Sequence, residues 1–209
     1  AMGQLRFRMR PPLCPVKRLL RAAVRGRTGR ILERVQPAHG GFLEATPLTG
    51  FVTMSLVEAG RRDHPVVDRA VAFLTASMRD DGSWPIDTDL ATWVTTLSVN
   101  GIMASRAGSA LLTAADRQAV LRWLLGGQYT AVHPYTGAAP GGWAWTDLPG
   151  GVPDADDTAG AVTALAELAG AGDDEEVRTA AERGLKWLMG LQNRDGGIPT
   201  FCRGWNRLP

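Results

Sequence analysis

Apolar residues recur along this chain with a helical period, and two kinds of helical segment alternate. Three segments have an apolar stripe on one side and polar residues on the other, as expected of helices that pack by one face. They cover residues 65–77, 114–126 and 174–191. Three others, rich in Ala, Thr, Val and Leu, cover residues 46–59, 88–104 and 156–170. The pattern therefore predicts amphipathic outer helices that alternate with small-residue inner helices.

Four glycine turns, each with a large apolar residue at its end, punctuate these helices. They are QPAHGGF at 36–42, MRDDGSW at 78–84, PGGWAW at 140–145 and LQNRDGGI at 191–198. Repeated helical hairpins stack into a solenoid or close into a barrel around an axis lined by small-residue inner helices. We therefore predict an all-α fold, an α/α barrel or partial barrel built of helical hairpins with Gly-aromatic turns, over residues 36–209.

Residues 1–35 are predicted to form a basic N-terminal arm with a short amphipathic helix. Residues 1–36 contain ten Lys or Arg against Glu33 alone, a net +9; since the whole chain carries +2, the remaining 173 residues carry −7. Pro15 suits the first turn of this helix and Gly26 its end. Two interpretations stay open: a surface for anionic lipid, or a helix packed on the domain with a solvated basic face. Nucleic acid is disfavoured, because the body of the chain is acidic.

Composition and cysteine usage indicate which cellular compartment the protein occupies. Hydrophobic residues make up 44% of the chain and charged residues 21%, as is usual for globular proteins. Cys14 and Cys202 have neither metal-ligand nor disulfide-framework spacing, which fits a reducing compartment. The sequence has no apolar run that could span a bilayer and no signal-peptide pattern. We expect a cytoplasmic protein, with peripheral attachment to the inner membrane surface if the arm binds lipid.

The segment PDADDTAGAVTAL, residues 153–165, crowds three carboxylates into the start of an apolar helix. Asp154 and Asp157 have the spacing of a helix N-cap and its third position, and capping is the interpretation that the residues alone favour. The alternative is a proton donor, because like charges and partial desolvation hold a carboxyl protonated. The segment lacks the Gly and the distal Glu of a calcium loop, so we expect no metal.

The same segments carry a family resemblance. PDADDTA resembles the DxDDTA signature of class II terpene cyclases, and the Gln-Gly-aromatic turns resemble the QW repeats of cyclases of the squalene–hopene and oxidosqualene type. PGGWAWTDLPGGVPDADDTAGAVTAL resembles the squalene–hopene cyclase segment most closely, and DGSWPIDTDLATWVTTLSV resembles its preceding repeat. The resemblance covers about residues 36–209. It implies a protonation-initiated cyclisation of a linear isoprenoid, squalene-type favoured, to a polycyclic product, without metal or cofactor.

What the resemblance implies for the acidic motif and its surroundings is specific. Asp156, the middle carboxyl, would protonate a terminal alkene or epoxide, and Asp154 and Asp157 would hold it in its reactive form. Trp145 would stabilise the resulting carbocation through its ring quadrupole. Asp87, in the IDT segment, would lie near the substrate.

Other expectations concern Thr158, the turn residues and the chain end. Thr158, within the signature, is a further candidate for substrate binding, whereas Trp143 is expected to belong to the structural turn. Ile198 stands where the repeat has an aromatic residue. The family's catalytic domain continues for several helices beyond the position of Pro209. We therefore expect an incomplete barrel that associates with itself or with a complementing chain or segment.

Two alternative functions stay open. One is a cyclase of the copalyl type, which acts on a diterpenoid diphosphate that the basic arm could reach. The other is a non-catalytic α/α repeat fragment that binds a partner or an isoprenoid.

Overall fold

The computed structural model describes residues 13–105, 108–134, 136–170 and 174–203. Regular secondary structure in these ranges is helical, apart from two isolated bridge pairs. The helices are α1 (Pro15–Val35), α2 (Thr46–Glu58), α3 (Pro65–Ala76), α4 (Ala91–Ala104), α5 (Gly108–Leu111), α6 (Ala114–Gly127), α7 (Ala155–Ala169) and α8 (Glu175–Leu191). The predicted all-α fold of helical hairpins is confirmed, and all six predicted inner and outer helices are present. None of the described helices combines the length and the apolar character needed to cross a membrane.

The chain forms two compact units, Ala1–Thr88 and Asp89–Pro209. In the first unit, α2 and α3 pack together, and the end of α1 packs on α3. The core of this unit contains Phe42, Val52, Leu56, Val66 and Val67, with Leu32 and Val35 of α1 packed against it.

Helix α1 does not end at Gly26, as predicted, but continues to Val35. Its last turns are held by packing that the local sequence does not reveal. Gly29 is buried, and a Cβ added there would lie 3.0 Å from Nε2 of His64. Because tertiary packing outweighs the modest cost of a helical glycine, Gly26 is tolerated inside the helix.

In the second unit, α7 packs against α4, α6 and α8. The small residues predicted for an inner helix allow this close approach. A Cβ added at Gly160 would lie 3.0 Å from the Thr96 hydroxyl of α4, and the Asn100 side-chain amide donates to the Gly160 carbonyl at 3.3 Å. Ala161, Ala164 and other small or aliphatic residues of α7 are fully buried at these contacts.

A glutamine has a structural purpose at two of the glycine turns, Gln36 at the first and Gln128 before the third. The Gln36 amide donates to the Gly40 carbonyl at 2.9 Å and to the Val66 carbonyl of α3 at 3.0 Å. In the second unit, the Gln128 amide donates to the carbonyls of Gly141 and Ala180, both at 2.9 Å. Each glutamine therefore ties its turn to the outer helix that follows.

The first glycine of the Gly-Gly pair is required by the backbone in both turns. Gly40 and Gly141 have φ of +97° and +121°. A Cβ would lie 2.1 Å from the carbonyl oxygen of Arg69 at the first position and 2.8 Å from that of Arg183 at the second. A side chain would therefore clash with the neighbouring outer helix at either position.

A repeated backbone contact joins each turn to the inner helix before it. The carbonyl two residues after the turn's apolar residue accepts a hydrogen bond from the start of that helix. The three donor–acceptor pairs are Thr46 N with Ile86 O at 3.1 Å, Thr92 N with Trp145 O at 3.0 Å, and Ala155 N with Thr200 O at 2.9 Å. The residues after each turn are thereby held at the start of an inner helix.

Candidate active site at the start of helix α7

The acidic motif forms the first turn of α7. Asp154 is the N-cap, with extended φ and ψ of −136° and 170°, and its Oδ1 accepts the Asp157 backbone N–H at 2.8 Å. The Asp154 N–H in turn donates to the Trp143 carbonyl at 3.0 Å, which ties the cap to the Gly-aromatic turn. The capping interpretation is therefore confirmed for Asp154.

Two of the three carboxyls are buried. Asp154 is 3% exposed and Asp157 is 2% exposed, whereas Asp156 is exposed. This division follows from helix geometry, because the N-cap and third positions lie on one side of the first turn and the second position points away from them. The side chain predicted to be the acid is thus the accessible one.

The buried pair holds a proton at neutral pH. Burial, together with the charge of Asp154 and the hydrogen bond that the two carboxyls share, raises the pKa of Asp157 to about 8. Burial also raises the pKa of Asp154, although its hydrogen bonds with Asp157 act in the opposite direction. Protonated Asp157 therefore donates to the Asp154 carboxylate. Oδ1 of Asp157 is buried and has no hydrogen-bond partner among the described residues.

Trp145 is held by its backbone beside the start of α4. Its carbonyl accepts the N–H groups of Thr92 at 3.0 Å and Trp93 at 3.2 Å. The half-buried indole meets the ring of Phe201 edge to face, with centroids 6.2 Å apart and planes at 67°. Its Nε1 is buried and has no hydrogen-bond partner in the described part of the chain. The sequence analysis missed Phe201, although the repeat register places it three residues after Ile198.

The structure gives Thr158 a role in the turn. The Trp143 N–H donates to the Thr158 hydroxyl at 3.0 Å, and that hydroxyl lies 3.3 Å from the Trp143 carbonyl. Thr158 is fully buried, so its hydroxyl serves the turn rather than a surface open to substrate. Trp143 is itself buried, and its indole N–H donates to the Leu124 carbonyl at 2.7 Å, as expected of a structural turn residue.

Asp87 belongs to the first unit, where it forms a bridge pair with Ala45 at the start of α2. Burial raises its pKa. A neighbouring contact was not predicted: Glu44 is 1% exposed and its Oε1 lies 2.8 Å from Nε2 of His39. The Thr88 N–H donates to the Glu44 carbonyl at 2.9 Å, so the buried Glu44 adjoins the segment that carries Asp87.

His64 and His133 are buried and stabilise local backbone. His64 caps α3, since its Nδ1 accepts the Val66 N–H at 3.3 Å. His133 Nδ1 accepts the Thr136 N–H at 3.3 Å, and its Nε2 lies 3.1 Å from the Gly151 carbonyl. Burial lowers the pKa of both rings.

Among the described residues, no group of three or more His, Cys, Asp and Glu side chains is arranged to hold a metal ion. The candidate site described above contains carboxyls and aromatic rings. Buried carboxyls that share a proton can tune a third, accessible carboxyl through charge and hydrogen bonding.

Helical hairpins with Gly-aromatic turns, and three carboxyls at the start of an inner helix, are the features by which this chain resembles class II terpene cyclases. Residues 90–207 match the family model for the squalene-hopene cyclase C-terminal domain. The match covers more than half of the chain, which therefore belongs to this family.

Three curated relatives agree with this assignment. The chain is 26% identical over 190 residues to sporulenol synthase of Bacillus subtilis, covering 84% of this chain and 27% of that protein. It is 30% identical over 169 residues to the terpene cyclase-glycosyl transferase fusion protein fsoA of Humicola fuscoatra, covering 74% of this chain and 12% of that protein. It is 40% identical over 62 residues to a probable squalene–hopene cyclase of Sinorhizobium fredii, covering 30% of this chain and 10% of that protein. The chain thus spans about a quarter or less of the length of these relatives.

Proposed function

We propose that this chain carries the protonation site of a class II terpene cyclase, which converts a linear isoprenoid of the squalene type to a polycyclic product. One observation carries the proposal: an accessible Asp156 stands beside a buried pair, Asp154 and Asp157, that retains a proton at neutral pH. Capping alone requires neither the third carboxyl nor a proton on the pair.

Asp156 is proposed as the proton donor. Its carboxyl O–H gives a proton to one carbon of a terminal alkene, the π electrons form the new C–H bond, and the other carbon becomes a carbocation. An apolar substrate that covers the carboxyl excludes water, which protects the cation after transfer. The buried pair restrains the backbone of the same helical turn through the Asp157 N–H bond to Asp154.

Trp145 is proposed to stabilise the carbocation. Aromatic faces attract cations most strongly where water is excluded. The indole has a defined orientation, because its carbonyl is bound by the start of α4 and its ring meets Phe201. Asp87 stays a candidate for substrate contact, whereas Thr158 is assigned to the turn.

Helix α1 supports peripheral attachment to a membrane as part of this proposal, since the substrate is apolar. Its first turns expose Val16, Leu19, Leu20 and Val24. Lys and Arg residues flank these side chains, which is the composition of helices that bind anionic lipid surfaces.

A copalyl-type cyclase is the second candidate, supported by the basic α1, which could contact a diphosphate. The squalene type is favoured by the PGGWAW context of Trp145. Two relatives are a sporulenol synthase and a probable squalene–hopene cyclase, neither of them named for a diphosphate substrate.

The test is product analysis by gas chromatography and mass spectrometry after incubation with squalene and, separately, with geranylgeranyl diphosphate. Replacing Asp156 by Asn should lower product formation by about 10²–10⁴-fold, the usual contribution of a general acid. Asp147→Asn, which removes an exposed carboxylate just before the motif, should leave it unchanged. Trp145→Phe should retain more activity than Trp145→Leu.

Each outcome is informative. Wild-type turnover by Asp156→Asn would rule out this acid, and product from the diphosphate alone would favour the copalyl-type reaction. If the unsubstituted protein yields no cyclised product from either substrate, the non-catalytic module becomes the better interpretation.

A further inference from the structure

A groove of about 950 Å³ runs along α8 in the second unit. Such a volume lies near the upper end of the roughly 300–1,000 Å³ usual for small-molecule sites. One wall is a stripe of α8 formed by Arg183, Lys186, Trp187 and Gly190, whose spacing places them on one helix face. The facing wall is the small-residue loop 136–141, and residues 201–203 also line the groove.

The groove is lined by two chemically different groups of side chains, one cationic and one apolar. Three cationic side chains, Arg183, Lys186 and Arg203, line the groove, and no described lining residue is a carboxylate. The apolar part is provided by large side chains, which include Trp187 and Leu191. The groove therefore combines positive charge with an apolar floor, although the chain as a whole is nearly neutral.

We propose that this groove binds an anionic amphiphile, in which a phosphate head lies against the three cations and an apolar chain covers Trp187 and Leu191. Guanidinium groups bind phosphate oxygens in pairs, and a lysine ammonium adds a point charge. An inorganic anion would leave the apolar floor exposed, and a neutral hydrocarbon would leave the cations without a counter-charge.

This site is distinct from the proposed proton donor. None of Asp154, Asp156 and Asp157 lines the groove, and the proposed cyclisation does not use Arg183, Lys186 or Arg203. The binding can therefore be tested without any assay of cyclisation, and its failure would leave the proposed function intact.

Gly190 offers a way to fill the groove without disturbing the fold. A Cβ added at Gly190 meets no atom within 4 Å, so a larger side chain there can extend into the groove. Replacing a helical glycine by a residue with a side chain also favours the helix. Gly126 of α6 is a matched control, because a Cβ there is equally unobstructed and Gly126 does not line the groove.

The test is isothermal titration calorimetry of the whole chain with monomeric decyl phosphate, decanol and inorganic phosphate as separate ligands. Decyl phosphate should bind at least about tenfold more tightly than either of the other two, a difference readily resolved in Kd. Equal binding of decanol would overturn the role of the cations. Equal binding of inorganic phosphate would overturn the role of the apolar floor.

Variants locate the site. Replacing Arg183, Lys186 and Arg203 together by Gln should weaken decyl phosphate binding about tenfold or more. Arg178→Gln, on the same helix but paired with Glu175 and outside the groove, should leave it unchanged. Gly190→Leu should weaken binding without lowering Tm, whereas Gly126→Leu should leave binding intact. Wild-type affinity in both the triple variant and Gly190→Leu would refute the proposal.

A final experiment separates two sources of the same head group. Vesicles that contain phosphatidic acid are added to the complex with decyl phosphate. Displacement of decyl phosphate supports a membrane lipid as the natural occupant. Retention supports a soluble long-chain phosphate.

Discussion

The buried carboxyl pair predicts that replacing Asp157 by Asn stabilises the fold, and increasingly so as the pH rises. Asn is close in shape to a protonated Asp, and its amide can donate to Asp154 as the carboxyl does. It fills the same buried position without a proton that can be lost. The substitution therefore isolates the free energy of keeping Asp157 neutral.

The magnitude follows from the pKa of Asp157, which is about 8 in the folded chain against an ordinary value of 3.8. Between these pH values the folded chain binds more protons than the unfolded chain, so the stability of the wild type falls with rising pH. The slope is about 1.4 kcal/mol per pH unit. Between pH 3.8 and pH 7 the wild type therefore loses at most about 4 kcal/mol of stability relative to Asp157→Asn. Solvent screening reduces the expected loss to about 2–4 kcal/mol.

The assay is urea unfolding of both proteins at a series of pH values from 4 to 9. Near pH 4 their free energies of unfolding should be similar, because Asp157 is largely protonated in the folded and unfolded chains. The advantage of Asp157→Asn should then grow up to about pH 8 and level off above it. A constant difference across the range would show that Asp157 is not protonated in the fold, and a growing disadvantage would show that it is ionised and bound.

Two further predictions concern the turns and α1. Gln128→Leu should destabilise the fold by about 2–4 kcal/mol in urea unfolding, because two buried carbonyls lose their donor. Gln192→Leu, the control in which the amide is exposed, should cost less than about 1 kcal/mol. Equal losses in the two variants would contradict the role assigned to the buried amide of Gln128. Replacing Leu19 and Leu20 of α1 by Glu should abolish co-sedimentation of the protein with anionic vesicles. Val71→Glu, at an exposed position of α3, is the control and should leave co-sedimentation unchanged. Vesicle binding by the double variant would exclude α1 as the membrane contact.

The helices were predictable because their determinants are local. Apolar periodicity located the inner and outer helices, and Gly-Gly pairs located their ends. The same local reasoning failed at Gly26, where the packing of Gly29 against His64 extends the helix. Local sequence also could not predict the burial of Glu44, since that carboxyl is enclosed by contacts from distant parts of the first unit, including Thr88.

The candidate site shows a similar division between local and long-range effects. The spacing of Asp154 and Asp157 predicted a cap, which the structure has. It did not predict how far the pKa of Asp157 departs from the ordinary value, because burial outweighs the helix dipole that favours an ionised carboxyl at this end. The contact of Phe201 with Trp145 was also missed, since Ile198 obscured the register of the last repeat.

The geometry removes the conflict between a helix cap and a proton donor. In a D-x-D-D sequence that begins at the N-cap, the first and last carboxyls lie on the same side of the turn and bind each other, and the middle one points away. Asp154 and Asp157 therefore perform the capping and retain one proton, which limits the negative charge of the turn. Asp156 lies on the other side of the first turn of α7 and is exposed, so under the proposed function it is the carboxyl that a substrate could reach. If Asp156 is the proton donor, as proposed, the other two carboxyls of the motif fix the turn that carries it.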